Sequence, residues 1–257
     1  MNYIGIDIGS TCAKTAVLNE KEEIIQEFVQ PTGWSSVDTA EEILQKLKLA
    51  GISLSDDSSC CVATGYGRIS VPYADKAVTE ITCHALGAVH LFQQPDLTVI
   101  DIGGQDTKII QIEQGFVKDF IMNDKCAAGT GRFLEVMANT LSLRPNEMFD
   151  LARLGSDTTI SSMCTVFAES EVIGLIGKGE PKENIAYAVV DSTIRKVAAQ
   201  VSRINGEMST FCLTGGLCEC EYIREALSKK IGKEVISSPD ARYAGAIGAA
   251  LSAMKIR

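Results

Sequence analysis

DIGSTCAK at residues 7–14 returns as DIGGQDTK at residues 101–108. Each copy follows an apolar run, at residues 3–6 and 97–100, and each keeps Asp-Ile-Gly, a four-residue gap and a lysine. Each then runs into β-branched residues, a polar turn (19–23 and 113–115) and a second apolar stretch (24–25 and 116–117). That pattern predicts a hairpin meander. A second echo lies downstream. The apolar runs from Cys60 and from Phe211 both end in Thr-Gly, at Thr64-Gly65 and Thr214-Gly215. After each, the sequence predicts a helix, a short strand (77–78 and 234–236) and a small-residue helix carrying HALGA at 84–88 or AGAIGAA at 244–250. Small residues at helical spacing let two backbones approach closely. The expected architecture is therefore a duplicated two-lobe α/β fold. Lobe I spans residues 1–94 and lobe II residues 95–257, with the final helix packing back towards lobe I. The excess length of lobe II falls in residues 122–205, where helices are expected over 145–154, 168–176 and 181–204.

Composition narrows the function. The 257 residues are 46% hydrophobic and carry a net charge of −9 without a basic run. Nucleic acid and anionic membranes are excluded as expected ligands. No apolar run approaches the ~18 residues of a membrane helix. The start, MNYIGIDIG, reads as a strand rather than a signal peptide. Nine cysteines, an odd number, in a chain of cytoplasmic character argue against structural disulfides. No C-x-x-C occurs, and Cys60-Cys61 and Cys218-Glu-Cys220 lack zinc-ribbon spacing.

The repeated turns suit phosphate chemistry. A glycine turn between two strands exposes backbone N–H groups that can hold a phosphate. Ser10, Thr11, Cys12, Ala13 and Lys14 form one such loop, and Gly103, Gly104 and Gln105 the other. Asp7 and Asp101, at equivalent places in the two copies, suit a hydrated Mg²⁺, which prefers few carboxylates together with waters and phosphate oxygens. Gly215 and Gly216 would let a nucleoside approach the backbone. Neither G-x-x-x-x-G-K-[ST] nor G-x-G-x-x-G is present. Phosphate 1, phosphate 2 and adenosine motifs in this order resemble the actin/sugar kinase/Hsp70 superfamily, a ribonuclease H-like fold, over essentially the whole chain.

Two cysteine stretches stand apart: NDKCAAGTGRFLE at 123–135 and SSMCTVFAESEV at 161–172. Cys126 precedes a small-residue loop and an apolar helical face of Phe133, Leu134, Val136, Met137 and Leu141. A cysteine before a helix start sits near orphan N–H groups and the positive end of the dipole. Read alone it is equally a small buried filler. Cys164 precedes a second helical run, with Ser161 and Ser162 as candidate N-caps. With ATGYGR at 63–68, DIGGQDTK and AGAIGAA, these stretches resemble the BadF/BadG family of ATPases, in the manner of activators (component A) of 2-hydroxyacyl-CoA dehydratases.

The resemblance implies ATP/ADP with Mg²⁺, and one [4Fe-4S] cluster per homodimer held by Cys126 and Cys164 of each subunit. Four thiolates per cluster and a two-fold dimer agree with two cysteines per chain. It further implies ferredoxin or flavodoxin as electron donor, a dehydratase as acceptor, and ATP-driven lobe movement that reorients the cysteine-bearing helices. Lys14 would balance phosphate charge, and Gln105 and Asp106 are candidates to position the attacking water. Ala128 would lie against the nucleotide, and Arg132 would either link nucleotide to cluster or be an ordinary surface arginine. Where the family favours amide-like residues near adenosine, this chain has Glu219 and Arg242. The remaining cysteines read as packing, with Cys218 and Cys220 the alternative metal pair. A different electron acceptor, such as a double-cubane-cluster reductase, and a small-molecule kinase are the competing readings.

Overall fold

In a computed structural model the two repeats become strand–turn–strand units of the same design. The structure describes residues 1–54, 58–162, 164–204 and 210–256. β1 (Asn2–Ile8) runs antiparallel to β2 (Cys12–Leu18), which runs antiparallel to β3 (Ile24–Pro31). β4 (Ser59–Thr64) lies parallel to β1 on its other side, followed by the short β5 (Lys76–Ala77), so the order is β3-β2-β1-β4-β5. The second sheet repeats this plan. It holds β6 (Leu97–Ile102), β7 (Thr107–Glu113), β8 (Phe116–Asn123), β9 (Thr210–Gly215) and β10 (Val235–Ile236) in the order β10-β9-β6-β7-β8. β1, β4 and β6 alternate little in polarity because they are covered on both faces, as parallel-paired strands usually are.

Eight α-helices complete the chain among the described residues: α1 (Ser36–Leu49), α2 (Glu80–Phe92), α3 (Gly131–Thr140), α4 (Pro145–Ala152), α5 (Thr165–Gly177), α6 (Lys182–Val201), α7 (Glu221–Ile231) and α8 (Ala244–Met254). The helix expected after Thr64-Gly65 is only a 3₁₀ turn over Arg68–Ser70. Pro72 is the cause, since the residue before a proline is driven from helical to extended backbone, and Val71 sits at φ −107°, ψ 87°. The corresponding stretch after β9 has no proline and forms α7.

The chain divides into two compact units, residues 1–99 with 110–119 and 238–257, and residues 100–109 with 120–237. In the first, α8 lies on β1 and α2 with almost no separation. A Cβ added to Gly5, Gly87 or Gly248 would fall 1.8, 1.8 and 1.7 Å from the carbonyl oxygens of Ala246, Ala244 and Cys83. In the second, Phe133, Leu134 and Met137 of α3 pack with Met148 and Phe149 of α4, Val172 of α5 and Val189 of α6 in one core. Among the described residues no helix is long and apolar enough to cross a membrane.

Candidate nucleotide loops and cysteine site

The first loop is a tight turn between β1 and β2. The Gly9 amide donates to the Cys12 carbonyl at 3.1 Å, leaving Ser10 and Thr11 exposed at the tip and Ala13 buried at its base. Thr32 braces it by donating from Oγ1 to the Gly9 carbonyl at 2.7 Å and from its amide to the Thr11 carbonyl at 2.9 Å. Asp7 stands behind the turn, 2% exposed, level with Lys14 on β2 and Thr64 on β4. Gly65 continues β4 at φ +83°, where a Cβ would lie 2.4 Å from Asp7 Oδ1. Only glycine accepts both that backbone and that approach.

The second loop repeats these relations. The Gly103 amide donates to the Asp106 carbonyl at 2.9 Å. Asp101, also 2% exposed, accepts from Thr214 Oγ1 at 2.9 Å, and Gly215 sits at φ +83° with a would-be Cβ 2.9 Å from Asp101 Oδ1. Lys108 is 1% exposed, with Nζ 2.8 Å from Asp106 Oδ2 and 3.3 Å from Asp101 Oδ2. Asp106 therefore folds back on its own loop, whereas Gln105 is exposed at the tip. The chemistry available here is a ring of backbone amides with a buried carboxylate behind it, an arrangement fitted to phosphates and a hydrated cation.

Two buried groups escaped the sequence reading. Lys108 is the counterpart of Lys14, and the Asp-Ile-Gly…Lys repeat itself was the signal for it. His84 lies with Nε2 4.0 Å from Asp7 Oδ2 and 3.7 Å from Glu80 Oε1. The Glu80 spacing is a helical i,i+4 relation, but the approach to Asp7 comes from α8 packing on both α2 and β1, where a Cβ on Gly245 would lie 2.6 Å from Asp7 Oδ2 and 2.9 Å from His84 Nε2.

The Cys126 stretch is tied to the second loop by hydrogen bonds. The Gly131 and Arg132 amides, the first of α3, donate to the Gly103 and Gly104 carbonyls at 3.0 and 2.7 Å. Thr107 Oγ1 donates to the Gly129 carbonyl at 2.6 Å. Cys126 does not abut the helix. Thr130 is the N-cap of α3, and the Ala127-to-Thr130 turn, closed by the Thr130 amide donating to the Ala127 carbonyl at 3.0 Å with Gly129 at φ +86°, separates the two. Asn123 holds the cysteine in place by donating from Nδ2 to the Cys126 and Ala128 carbonyls at 2.8 and 3.1 Å. Ala128 is buried beneath the loop. The Arg132 side chain is exposed and pairs with Glu135 at 2.8 Å, one turn along its own helix.

Cys164 is itself the N-cap of α5. Ser161 and Ser162 do not cap the helix. Their amides donate to the Glu171 carboxylate at 3.1–3.2 Å and 3.1 Å, two turns into α5. Burial alone would raise the Glu171 pKa, but these N–H groups outweigh it and hold the carboxyl below its ordinary value. Glu171 thus fixes the approach to Cys164, a role invisible in the linear motif because it folds back over nine or ten residues.

Cys126 and Cys164 are the exposed cysteines, and the other seven are buried or half-buried. Burial pushes the Cys61 and Cys212 thiols far above their ordinary range, Cys83 to about 11, and Cys220 upward as well. Cys218 is 3% exposed. These groups suit packing rather than ligation. Of the adenosine candidates, Gly216 and Glu219 follow Gly215, with Gly216 exposed, while Arg242 lies near Glu27, whose pKa burial and Asp240 raise against the weaker opposing pull of Arg242. Among the described residues no three His, Cys, Asp or Glu side chains gather as a metal site, so one chain alone does not assemble a four-thiolate cage.

Residues 4–253 match the sequence profile of the BadF/BadG/BcrA/BcrD ATPase family. The chain is 43% identical to the (R)-2-hydroxyglutaryl-CoA dehydratase activating ATPase of Acidaminococcus fermentans, over 98% of this chain and 96% of that protein. Its fold superposes with a TM-score of 0.90 on the activator of 2-hydroxyisocaproyl-CoA dehydratase from Clostridium difficile with bound ADPNP, at 35% identity, covering 100% and 95% of the two chains. A ROK family glucokinase from Streptomyces griseus shares the fold alone, with a TM-score of 0.63 at 17% identity over 99% and 100% of the chains.

Proposed function

The chain belongs to the BadF/BadG/BcrA/BcrD ATPase family, and from that premise we propose that it is an ATP-driven electron carrier that activates a 2-hydroxyacyl-CoA dehydratase. The observation carrying this reading is the selective exposure of Cys126 and Cys164, each on a segment fixed by specific hydrogen bonds. Two accessible thiols are half the ligand set of a [4Fe-4S] cluster. A second copy of the chain would supply the rest.

The surface around Cys164 supports that dimer. Val166, Phe167 and Ile173 on α5 are 67%, 67% and 56% exposed, a cluster of apolar side chains on a helix that buries only Ala168 and Val172. Such patches mark association surfaces. Cys126 and Cys164 of two copies would hold the cluster, which would supply low-potential one-electron chemistry, with a ferredoxin or flavodoxin as donor and the dehydratase as acceptor. The chain's own residues supply the ATPase. In the first unit loop 9–14 would take phosphate, with Asp7 suited to a hydrated Mg²⁺ and Lys14 to balancing charge, and in the second unit loop 103–106 and Asp101 offer the same chemistry. Gln105 orients the attacking water. Asp106 is held by Lys108 and shapes the loop instead. The amides joining Gly103 and Gly104 to α3 relay loop position to the Cys126 segment.

The deciding experiment is iron and sulfide content after strictly anaerobic preparation. About four iron per dimer are expected, lost in Cys126→Ser and Cys164→Ser with ATP-analogue binding retained, and kept in Cys218→Ser. A colourless monomer, or iron lost with Cys218→Ser and kept with Cys164→Ser, overturns the assignment.

A further inference from the structure

A cavity of ≈ 480 Å³ opens in the second unit between the end of β8, the Gly129 turn, Ile160-Ser161 and one side of α6. Its volume is that of a small-molecule site. Arg195, Lys196 and Arg203 line it and no acidic side chain does, in a chain of net charge −9. Arg195 is partly committed, with Nε 2.9 Å from Asp191 Oδ2 and Nη2 donating to the Ile160 carbonyl at 3.0 Å. Lys196 and Arg203 have no ion-pair partner among the described residues.

A second, independent feature lies in the same wall. Gln200 is 5% exposed, and its side-chain carbonyl oxygen has no hydrogen-bond partner among the described residues. An orphan buried acceptor is destabilising unless something bonds to it. Ser161 and Ser192 add hydroxyls, and Ile121 and Ile160 add apolar wall. Cations, one waiting acceptor and an apolar side together specify a small organic anion that also carries a hydrogen-bond donor.

We propose that this cavity is an anion-binding effector site, taking a carboxylate or phosphate ester of modest size. Its position gives it leverage. Asn123, which lines it, holds the Cys126 and Ala128 carbonyls. Ser161, which also lines it, is held by Glu171 on the approach to Cys164. A Cβ on Gly129 would lie 2.8 Å from Lys196 Cγ, so the lysine stem already rests on the turn that follows Cys126. An occupant drawing in Lys196 therefore acts on both cysteine segments.

The test uses the full chain saturated with a non-hydrolysable ATP analogue, so that the phosphate loops are filled, and needs no cluster. At neutral pH 4-hydroxybenzoate and glycerol 1-phosphate, each an anion with a hydroxyl donor for Gln200, serve as the carboxylate and phosphate probes in isothermal titration. At least one should bind with a Kd of roughly 1 mM or tighter, and Lys196→Met with Arg203→Met should weaken it at least about tenfold. Ala199→Phe, which fills the cavity from its exposed side, should do the same while nucleotide binding stays intact. Hydrogen exchange should slow at residues 121–129 and 192–203 on addition of the probe. Absence of binding by both probes at about 10 mM, unchanged affinity in Ala199→Phe, or protection elsewhere overturns the proposal. Iron content is not read, so this outcome is separate from that of the electron-transfer reading.

Discussion

Replacing Lys108 by methionine leaves Asp101 and Asp106 facing a gap where a cation stood 3.3 and 2.8 Å away. Lys108 is 1% exposed, so water does not simply take its place. Removing one partner of a buried ion pair costs about 3–5 kcal/mol, because the remaining charge stays buried without compensation. For a protein of this size each kcal/mol lowers Tm by roughly 2–4 °C, so a fall of about 6–20 °C is expected. Scanning calorimetry measures it. The double variant Lys108→Met with Asp101→Asn removes the charge on both sides and should recover part of the loss, a coupling of opposite sign to the single effects. A Lys108→Met protein melting within about 2 °C of the parent, or a double variant no better than the sum of its parts, refutes the claim that this lysine neutralises the loop.

The positive-φ glycines behind the two loops, Gly65 and Gly215, give a sharp contrast with Gly216. Gly215→Ala meets the Ile102 carbonyl at 2.5 Å at φ +83°, and Gly65→Ala meets Asp7 at 2.4 Å. The left-handed backbone alone costs about 1–2 kcal/mol for a non-glycine residue, so urea unfolding should register at least that loss, together with weaker ATP-analogue binding. Gly216→Ala meets nothing within 4 Å and should leave stability near that of the parent. Glu171 has a depressed pKa when folded, so its contribution is present above the unfolded value near ~4.3 and is lost as pH falls through the lower folded one. The protection factors of the Ser161 and Ser162 amides, measured against intrinsic exchange at each pH, should therefore fall only in acid for the parent, but already be low at neutral pH for Glu171→Ala. Phe167→Glu should convert the proposed dimer to monomer in light scattering without altering nucleotide affinity, and a persisting dimer would place the interface elsewhere.

The duplicated two-sheet plan was legible because duplication shows in the sequence as two Asp-Ile-Gly…Lys runs and two Thr-Gly strand ends. What was lost had local or tertiary causes. Pro72 removed one expected helix. The Ala127-to-Thr130 turn set Cys126 apart from α3, since glycine at φ +86° permits a turn that periodicity does not reveal. His84 against Asp7 and Glu171 against Ser161 arise from folding back, and a linear motif holds no trace of direction. The packing role of the other seven cysteines was legible, since Cys60, Cys61 and Cys212 stand in apolar runs, and these seven are buried or half-buried while Cys126 and Cys164 are exposed.

The placement of α8 has a consequence for synthesis. Ala249 and Ala253 complete one core cluster with Cys60, Val62 and Cys83, and Ala246 and Ile247 complete another with Ala16. The first unit cannot close these cores until residues 244–254 have been made. At about 5–20 residues per second, the ribosome takes roughly 7–30 s to travel from residue 99 to residue 244. Throughout that interval β1 and β4 wait with one face uncovered, while residues 100–109 and 120–237 are already emerging. The first unit therefore closes last although it is made first, and a chaperone meeting the nascent chain would find bare strands near its start.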